Sequence, residues 1–213
     1  MRVTLKLATS LDGKIAVASG ASRWITGVEA RRQVHLLRAM HAAILVGVET
    51  VIADDPELTV RVAGYVGRQP CRVVLDSRQR MPADARLVKT AGSTRTIIAS
   101  IQAPGERLAS AGVEVIEVAA RDGRVDPLAV LAALDGLGLS PVMIEGGAQV
   151  AASFIDAGLI DALEWFRAPI VLGDEGLSCV APFVLKQLQR APRFTRRSVE
   201  PVGDDLWERY ERV

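Results

Sequence analysis

Cysteine and histidine are scarce in this chain of 213 residues, and each shortage excludes a class of protein. The two cysteines, Cys71 and Cys179, stand far apart, which excludes a small disulfide-stapled fold and makes a reducing compartment the expected one. The two histidines, His35 and His41, belong to no HExxH motif, and no CxxC motif occurs. A catalytic zinc ion held by protein ligands is therefore not expected.

An excess of charge and a long apolar run are also missing. Lys and Arg number 26 against 25 for Asp and Glu, so the net charge of +1 provides no field for attracting nucleic acid. No run of about 18 apolar residues occurs, and the start MRVTLKLATSLDGKIA lacks the apolar stretch of a signal peptide. We therefore predict a cytoplasmic protein with no nucleic-acid or membrane partner, folded as one domain over residues 1–213.

The order of apolar runs predicts an α/β fold with a mostly parallel central sheet and helices on both faces. Continuous apolar runs, typical of strands covered on both sides, alternate with helical segments. From Ala162 onward the pattern changes, and we expect the last three strands to be antiparallel additions at one edge. The predicted strands are Val3–Thr9, Ala42–Gly47, Arg72–Leu75, Thr96–Ala99, Val113–Glu117, Val142–Ile144, Leu163–Ala168, Phe194–Val199 and Leu206–Arg212; the predicted helices include Gly105–Ala111, Pro127–Leu137 and Ala148–Ala157.

An earlier helix has a sequence signal at its start. Thr26 and Glu29 match a capping box, which predicts Thr26 as the N-cap and Glu29 at the third helical position. We expect this helix to continue to about residue 40 and to bury one stripe of side chains, namely Ala30, Val34, Leu37 and Met40.

Two strand-to-helix junctions contain glycine and polar residues suited to a ligand. In the first, Met143–Gln149, a buried strand meets Gly146 and Gly147 before a helix, so backbone N–H groups could approach an anion such as a pyrophosphate. Glu145 ends the strand where α/β sheets place ligands. A tight turn with a capping role for Glu145 explains the same residues, so this motif alone leaves both interpretations open.

The second junction, Leu45–Val51, is followed by the polar stretch 53–61. Thr50 could donate its hydroxyl to a phosphate, and Asp54 could orient a polar group of a ligand. The adjacent Asp54 and Asp55 could also suggest a metal site, but hard cations require several convergent oxygens. A solvated turn before Pro56 is the preferred interpretation.

Basic and aromatic side chains complete the set of candidates. Lys6 lies in an otherwise apolar strand, where it either pairs with an acidic or ligand oxygen or faces solvent. Arg38 and Arg61 could clamp a phosphate. Trp24, close to Ser22, could stack on a ring, although a buried anchor is the commoner role. These residues suit an enzyme whose cofactor brings the chemistry, and equally a non-catalytic nucleotide-binding module.

Four long motifs follow one another along the chain: KLATSLDGKIAVASGASRWITGVEARRQVHLLRA, AILVGVETVIADDPELTVR, VMIEGGAQVAASFIDAGLIDAL and APIVLGDEGLS. In this order they closely resemble the reductase domain of bacterial riboflavin-biosynthesis deaminase-reductases. The resemblance extends over effectively the whole chain and implies a dihydrofolate-reductase-like fold.

The resemblance implies an NADPH-dependent reduction of 5-amino-6-(5-phosphoribosylamino)uracil, with a hydride passing from the nicotinamide C4 to C1′ of the opened, imine-like ribose. The implied cofactor-binding residues are Ala8, Trp24, Thr50, Asp54, Ser77, Gly146, Gly147, Ala148, Gln149, Val150 and Ser153. The implied substrate-binding residues are Ser22, Arg38, Leu58, Arg61 and Glu145. The implied catalytic residues are Lys6, Asp54 and Glu145.

The residue types are consistent with these implied roles. A sugar phosphate would be held by Arg38, Arg61 and Ser22. Proton transfers at the ribose would fall to Lys6 and Glu145, while Asp54 would place the ribose beside the nicotinamide. The 2′-phosphate of NADPH would meet Ser77, and by our own inference Arg78.

One departure from the family pattern concerns the deaminase. The H-x-E and P-C-x-x-C signatures of the zinc deaminase that usually accompanies this reductase are absent. Either another protein deaminates, or the enzyme first reduces the 2,5-diamino pyrimidinone as similar archaeal and fungal reductases do, or it acts on another small heterocycle such as dihydrofolate. We also expect a homodimer, in which Phe194–Val199 and Leu206–Arg212 could extend a sheet across subunits.

Overall fold

Two units, interleaved in sequence, make up the structure, a computed structural model that describes residues 1–213. The first unit comprises Met1–Arg2 and His35–Gly146, and the second comprises Val3–Val34 and Gly147–Val213. None of the helices is long and apolar enough to cross a membrane.

The secondary structure mixes strands and helices along most of the chain. In chain order the elements are β1 Val3–Thr9, β2 Lys14–Ala16, α1 Val28–Ala39, β3 Ala43–Gly47, α2 Val48–Asp54, β4 Cys71–Leu75, α3 Arg86–Lys89, β5 Thr96–Ser100, α4 Glu106–Ala109, β6 Glu114–Glu117, β7 Ala120–Arg121, β8 Arg124–Val125, α5 Pro127–Gly136, β9 Val142–Gly146, α6 Ala148–Asp156, β10 Ala162–Arg167, β11 Leu177–Ser178, a 3₁₀ turn Leu188–Arg190, β12 Phe194–Val202 and β13 Asp205–Arg212. The predicted α/β class is confirmed.

The first unit is built on a parallel sheet with the strand order β9-β3-β4-β5-β6. Every residue of β3 and β5 is buried, which explains why β3 is wholly apolar and why β5 has no charged residue. Helix α5 begins where the sequence indicates: Asp126 accepts the N–H of Leu128, and Pro127 occupies the first turn. Parallel strands place their carboxyl ends at one edge of the sheet, where α/β proteins bind ligands.

The second unit has the strand order β12-β13-β10-β1. β13 runs antiparallel to both β10 and β12, as predicted for the C-terminal strands. The predicted strand Leu163–Ala168 corresponds to β10, which pairs antiparallel with β13 on one side and parallel with β1 on the other. Stacking of Phe166 on Trp207, with ring centroids 5.3 Å apart, covers the paired strands β10 and β13.

The start and end of α1 also differ from the sequence-based expectation. Gly27, not Thr26, is the N-cap, since its carbonyl accepts the first helical bond from the Arg31 N–H at 3.2 Å. The Gly27 N–H is bound by the carboxylate of Asp205 at 2.7 Å, a partner that is distant in sequence. Met40, expected in the buried stripe, follows the end of the helix and is 71% exposed.

Candidate active site

A buried ion pair joins two of the predicted substrate-binding residues in the first unit. Arg38, in the last turn of α1, donates from Nε and Nη2 to the carboxylate of Glu145 at 2.6 and 2.8 Å. Only 11% and 5% of the two side chains are exposed. Burial disfavours the guanidinium charge, but the attraction of Glu145 outweighs burial and raises the pKa of Arg38 above its ordinary value. Glu145 is thus held as a fixed carboxylate at the carboxyl end of β9.

Leu58 and Arg61 lie on a stretch of chain that contacts this pair. Leu58 is 3% exposed and has a φ of 52°, a backbone conformation that branched side chains rarely adopt. Arg61 is exposed, and its Nη1 donates to the carboxylate of Glu57 at 3.1 Å and to the hydroxyl of Thr59 at 3.2 Å. The carbonyl of Thr59 in turn accepts a bond of 2.9 Å from Nη1 of Arg38. The two predicted phosphate-binding arginines are therefore linked through Thr59.

Thr50 and Gly146, two predicted cofactor-binding residues, also lie together in the first unit. A Cβ atom added to Gly146 would stand 3.4 Å from the hydroxyl of Thr50, at about van der Waals contact, so the two residues are close neighbours. Asp54 is the last residue of α2 and is half-buried. The carboxylate of the neighbouring Asp55 accepts the backbone N–H of Arg86 at 2.8 Å, so Asp55 has a structural partner.

Ser77 follows β4 and contacts two other connections of the first unit. Its hydroxyl accepts the N–H of Val125 at 3.1 Å, and its carbonyl accepts the hydroxyl of Ser100 at 3.3 Å. The next residue, Arg78, is exposed. The turn after β4 therefore presents a cation beside an anchored serine.

Trp24, in the second unit, is 69% exposed and is no buried anchor. The guanidinium of Arg31 lies over its ring, 4.5 Å from the centroid, and also donates to the carbonyl of Thr26 at 2.6 Å. Ser22 lies two residues earlier and is half-buried. The loop before α1 thus offers a large aromatic surface whose orientation Arg31 fixes.

Lys6 and Ala8 occupy alternate positions of β1, the only two residues of that strand that are not fully buried. In the register of β1 with β10, Lys6 stands opposite Glu164 and Ala8 opposite Phe166. Alternation therefore places the two predicted site residues on one face of the strand.

The remaining predicted cofactor-binding residues of the second unit form the start of α6. Gly147 has a φ of 88°, and no side chain caps the helix. Ala148, Gln149 and Val150 form its first turn, where the backbone N–H groups of an α-helix point outward along its axis. The side chain of Val150 is buried, so Val150 can offer a ligand only its backbone. Ser153 is exposed, and its hydroxyl donates to the carbonyl of Val150 at 2.9 Å.

Three residues with a place in these arrangements were missed from the sequence. Nδ1 of His35 lies 3.1 Å from both the Thr59 carbonyl and the Arg61 N–H, and burial lowers the pKa of this imidazole. The side-chain amide of Gln69 binds the backbone of Val60. Asp12 accepts N–H groups of a loop far along the chain. These roles depend on hydrogen bonds to residues elsewhere in the chain, and a single sequence does not show which residues form such bonds.

The structure contains no cluster of side chains suited to binding a metal ion. No group of three or more His, Cys, Asp or Glu side chains is arranged to hold an ion. The carboxylate of Asp55, considered above with Asp54, forms an ion pair with Arg86 at 3.3 Å.

Comparison with known proteins places the chain in a family. The family model described as the RibD C-terminal domain matches residues 1–207. The chain belongs to the RibD C-terminal domain family. This confirms the resemblance on which the predicted site residues depend.

Relatives and solved structures agree with this assignment. The riboflavin biosynthesis protein RibD of Actinobacillus pleuropneumoniae is 35% identical over 208 residues, which cover 96% of this chain and 55% of that protein. The 2,5-diamino-6-ribosylamino-4(3H)-pyrimidinone 5′-phosphate reductase of Methanothermobacter thermautotrophicus is 38% identical over 210 residues, 98% of this chain and 96% of that protein. A structure of Acinetobacter baumannii RibD superposes with a TM-score of 0.87 at 31% identity, covering all of this chain and 58% of the other. The chain thus spans about half the length of the RibD relatives that it matches.

Proposed function

We propose that this chain is a riboflavin-pathway reductase that converts the ribosyl side chain of a phosphoribosylaminopyrimidine into a ribityl chain. Membership of the RibD C-terminal domain family supports this proposal, as does the name of the Methanothermobacter relative. The structural observation that carries it is the buried pair of Arg38 and Glu145 at the carboxyl end of β9. A carboxylate fixed at this edge can hold or move a proton on a sugar hydroxyl.

The residues of the chain then divide the work on the substrate. Glu145 and Lys6 would handle protons at the ribose as its ring opens. Arg38 donates three N–H groups to Glu145 and Thr59. We therefore propose that Arg38 orients Glu145 in addition to contacting the substrate. The exposed Arg61, together with Ser22, would hold the 5′-phosphate.

We propose NADPH as the cofactor, and the residues present fit a dinucleotide. The uncapped first turn of α6 offers N–H groups to a pyrophosphate, and the lack of a side chain at Gly146 leaves space beside Thr50. The indole of Trp24 offers a stacking surface, and Asp54 a carboxylate at the end of α2. Bound NADPH would supply the hydride.

Two substrates deserve direct comparison. The deaminated compound, 5-amino-6-(5-phosphoribosylamino)uracil, is our first candidate. The 2,5-diamino pyrimidinone is the second, because this chain spans 96% of the relative named for it.

An NADPH-oxidation assay with both pyrimidines and with dihydrofolate tests the proposal. We expect oxidation only after a phosphoribosylaminopyrimidine is added. Turnover of dihydrofolate alone would replace our proposal with a reductase of another heterocycle. Tight NADPH binding without oxidation in any mixture would indicate a non-catalytic module.

A second copy of the chain is the protein partner that we propose, with the cytoplasm as the compartment. β12 ends the strand order of the second unit and is mostly exposed, so its outer edge can pair with another strand. β13 lies between β10 and β12, and its edges are already occupied. The contact between subunits is therefore assigned to β12.

A further inference from the structure

The stretch Leu58–Arg61, here called the arginine segment, is fixed along its backbone by side chains. The amide of Gln69 accepts the Val60 N–H at 2.7 Å and donates to the Val60 carbonyl at 3.1 Å. This double contact reproduces the bonds that a neighbouring strand would make. Leu58, almost fully buried, anchors the start of the segment.

Helix α1 fixes the same segment from a second direction. Arg38 and His35 lie about one turn apart, and Nη1 of Arg38 donates to the Thr59 carbonyl at 2.9 Å. Nδ1 of His35 lies 3.1 Å from both the Thr59 carbonyl and the Arg61 N–H. Because a backbone N–H can only donate, we assign Nδ1 as the acceptor of the Arg61 N–H, with the ring proton on Nε2. Burial lowers the pKa of His35 and favours this neutral form.

The side chain of Arg61 is held far more weakly than its backbone. Its guanidinium is about half exposed and meets the carboxylate of Glu57, which is itself 39% exposed. Exposed ion pairs of this kind contribute little, so a doubly charged phosphate can displace Glu57 from Arg61. Glu57 would then keep its second partner, Nη1 of Arg86 at 3.3 Å.

We propose that His35 and Gln69 are positioning residues for phosphate recognition. By fixing the backbone of Val60 and Arg61, they hold the base of the Arg61 side chain so that its guanidinium meets the phosphate of the substrate. Neither residue contacts the substrate itself. This inference rests on the proposed function, because the phosphate is the one carried by the proposed substrate.

The test compares His35→Ala with His35→Asn, whose side-chain oxygen can replace Nδ1 as an acceptor. His41→Ala is the matched control, since His41 is also partly buried and bonds the Leu37 carbonyl instead of the arginine segment. For His35→Ala we expect the KM of the phosphorylated pyrimidine to rise about tenfold, as the loss of one well-placed hydrogen bond predicts. The kcat, and the KM of the dephosphorylated pyrimidine, should change little.

His35→Asn should restore most of the affinity, and Gln69→Leu should repeat the rise in KM. Equal rises in KM for the phosphorylated and dephosphorylated compounds, or the same effect in His41→Ala, would overturn the proposal. If His35→Ala does not fold, His35→Asn is compared with Gln69→Glu. We then expect the KM of the phosphorylated pyrimidine to stay near the wild-type value in His35→Asn and to rise in Gln69→Glu, which lacks the amide donor.

Calorimetry with ribose 5-phosphate separates this inference from the proposed function. The wild-type chain should bind the sugar phosphate, and His35→Ala should bind it about tenfold more weakly. If this difference is found although no pyrimidine is reduced, the positioning role stands and the proposed function fails. If the wild-type chain and His35→Ala bind equally, or neither binds, the positioning role is wrong.

Discussion

Two buried arginines of the first unit differ in their partners: one pairs with a carboxylate at the candidate site, and the other binds neutral groups of the fold. Arg38 faces the carboxylate of Glu145, whereas Arg72, only 1% exposed, donates to threonine hydroxyls and backbone carbonyls. With no carboxylate bound to it, burial lowers the pKa of Arg72 to about 10. Arg72 thus ties the turn before β5 to β4, while Arg38 holds the carboxylate of Glu145 near the end of β9.

Residue types were predictable from the sequence, but their partners were not. The motifs singled out Arg38, Glu145 and Arg61, yet only the fold shows that Arg38 pairs with Glu145 and Arg61 with Glu57. Positions 38 and 145 come from a helix and a distant strand, and no local pattern encodes such a contact. The exposure of Trp24 was not predictable for the same reason, since the loop before α1 has no periodicity.

Replacing Glu145 with Gln tests the fixed carboxylate. Gln keeps the size of the side chain but cannot take up a proton, so we expect kcat to fall about 100-fold or more, as for the loss of a general acid–base group. Steady-state kinetics with the preferred pyrimidine measures this change. Glu49→Gln is the control, because Glu49 is 71% exposed and pairs with Arg80 at the surface. An unchanged kcat in Glu145→Gln would remove Glu145 from the chemistry.

Arg78 gives a prediction about the choice of cofactor. Its exposed guanidinium follows the anchored Ser77 and would pair with the 2′-phosphate that only NADPH carries. We expect Arg78→Ala to raise the KM for NADPH about tenfold and to leave the KM for NADH unchanged. Arg80→Ala serves as the comparison at a nearby exposed position. Parallel changes with both cofactors would show that Arg78 does not contact the 2′-phosphate.

Among the elements, buried strands and the helices α5 and α6 were predicted better than the shortest elements. Fully buried strands such as β3 and β5 are continuous apolar runs, so their positions could be predicted from the sequence to within one or two residues. β2, β11 and α3 contain two to four residues, too few to show a period, and they were missed. The N-cap of α1 was misplaced because Asp205, which binds the Gly27 N–H, lies on β13.

Asp12 joins the turn after β1 to the loop before β11, and acid should break this link. Its carboxylate accepts the hydroxyl of Ser10 at 2.5 Å and the N–H groups of Leu172 and Gly173 at 3.1 and 2.8 Å. These bonds, the Ser10 bond above all, lower the pKa of Asp12 from 3.8 to about 2. The stabilisation is therefore complete above the unfolded-state pKa near 3.8 and is lost as the pH falls toward 2.

Thermal unfolding from pH 7 to pH 2 checks this link. Asp12→Asn should melt at a lower temperature than the wild-type chain at neutral pH, and the gap should close as the pH falls below about 4. Asp122→Asn, at an exposed turn between β7 and β8, is the matched control. A gap of constant size down to pH 2 would show that the charge of Asp12 does not stabilise the turn.

For the molecule as a whole, we predict a homodimer that depends on the edge strand β12. Val199, 43% exposed on this strand, is a site where lysine should oppose strand pairing. We expect the wild-type chain to sediment at twice its mass of 22.8 kDa and Val199→Lys to shift toward the monomer. Val213→Lys, at an exposed terminal position, should leave the dimer intact. A monomeric wild-type chain at micromolar concentration would contradict the prediction.

The reaction that we propose transfers a hydride to the ribose carbon of a phosphorylated pyrimidine. The most direct measurement uses NADPH deuterated at the nicotinamide C4, with mass spectrometry and NMR of the product. We predict a ribityl product that carries deuterium at C1′, from one or both of the two candidate pyrimidines. A pyrimidine that remains unreduced, or deuterium at any other atom of the product, would contradict the proposed reaction.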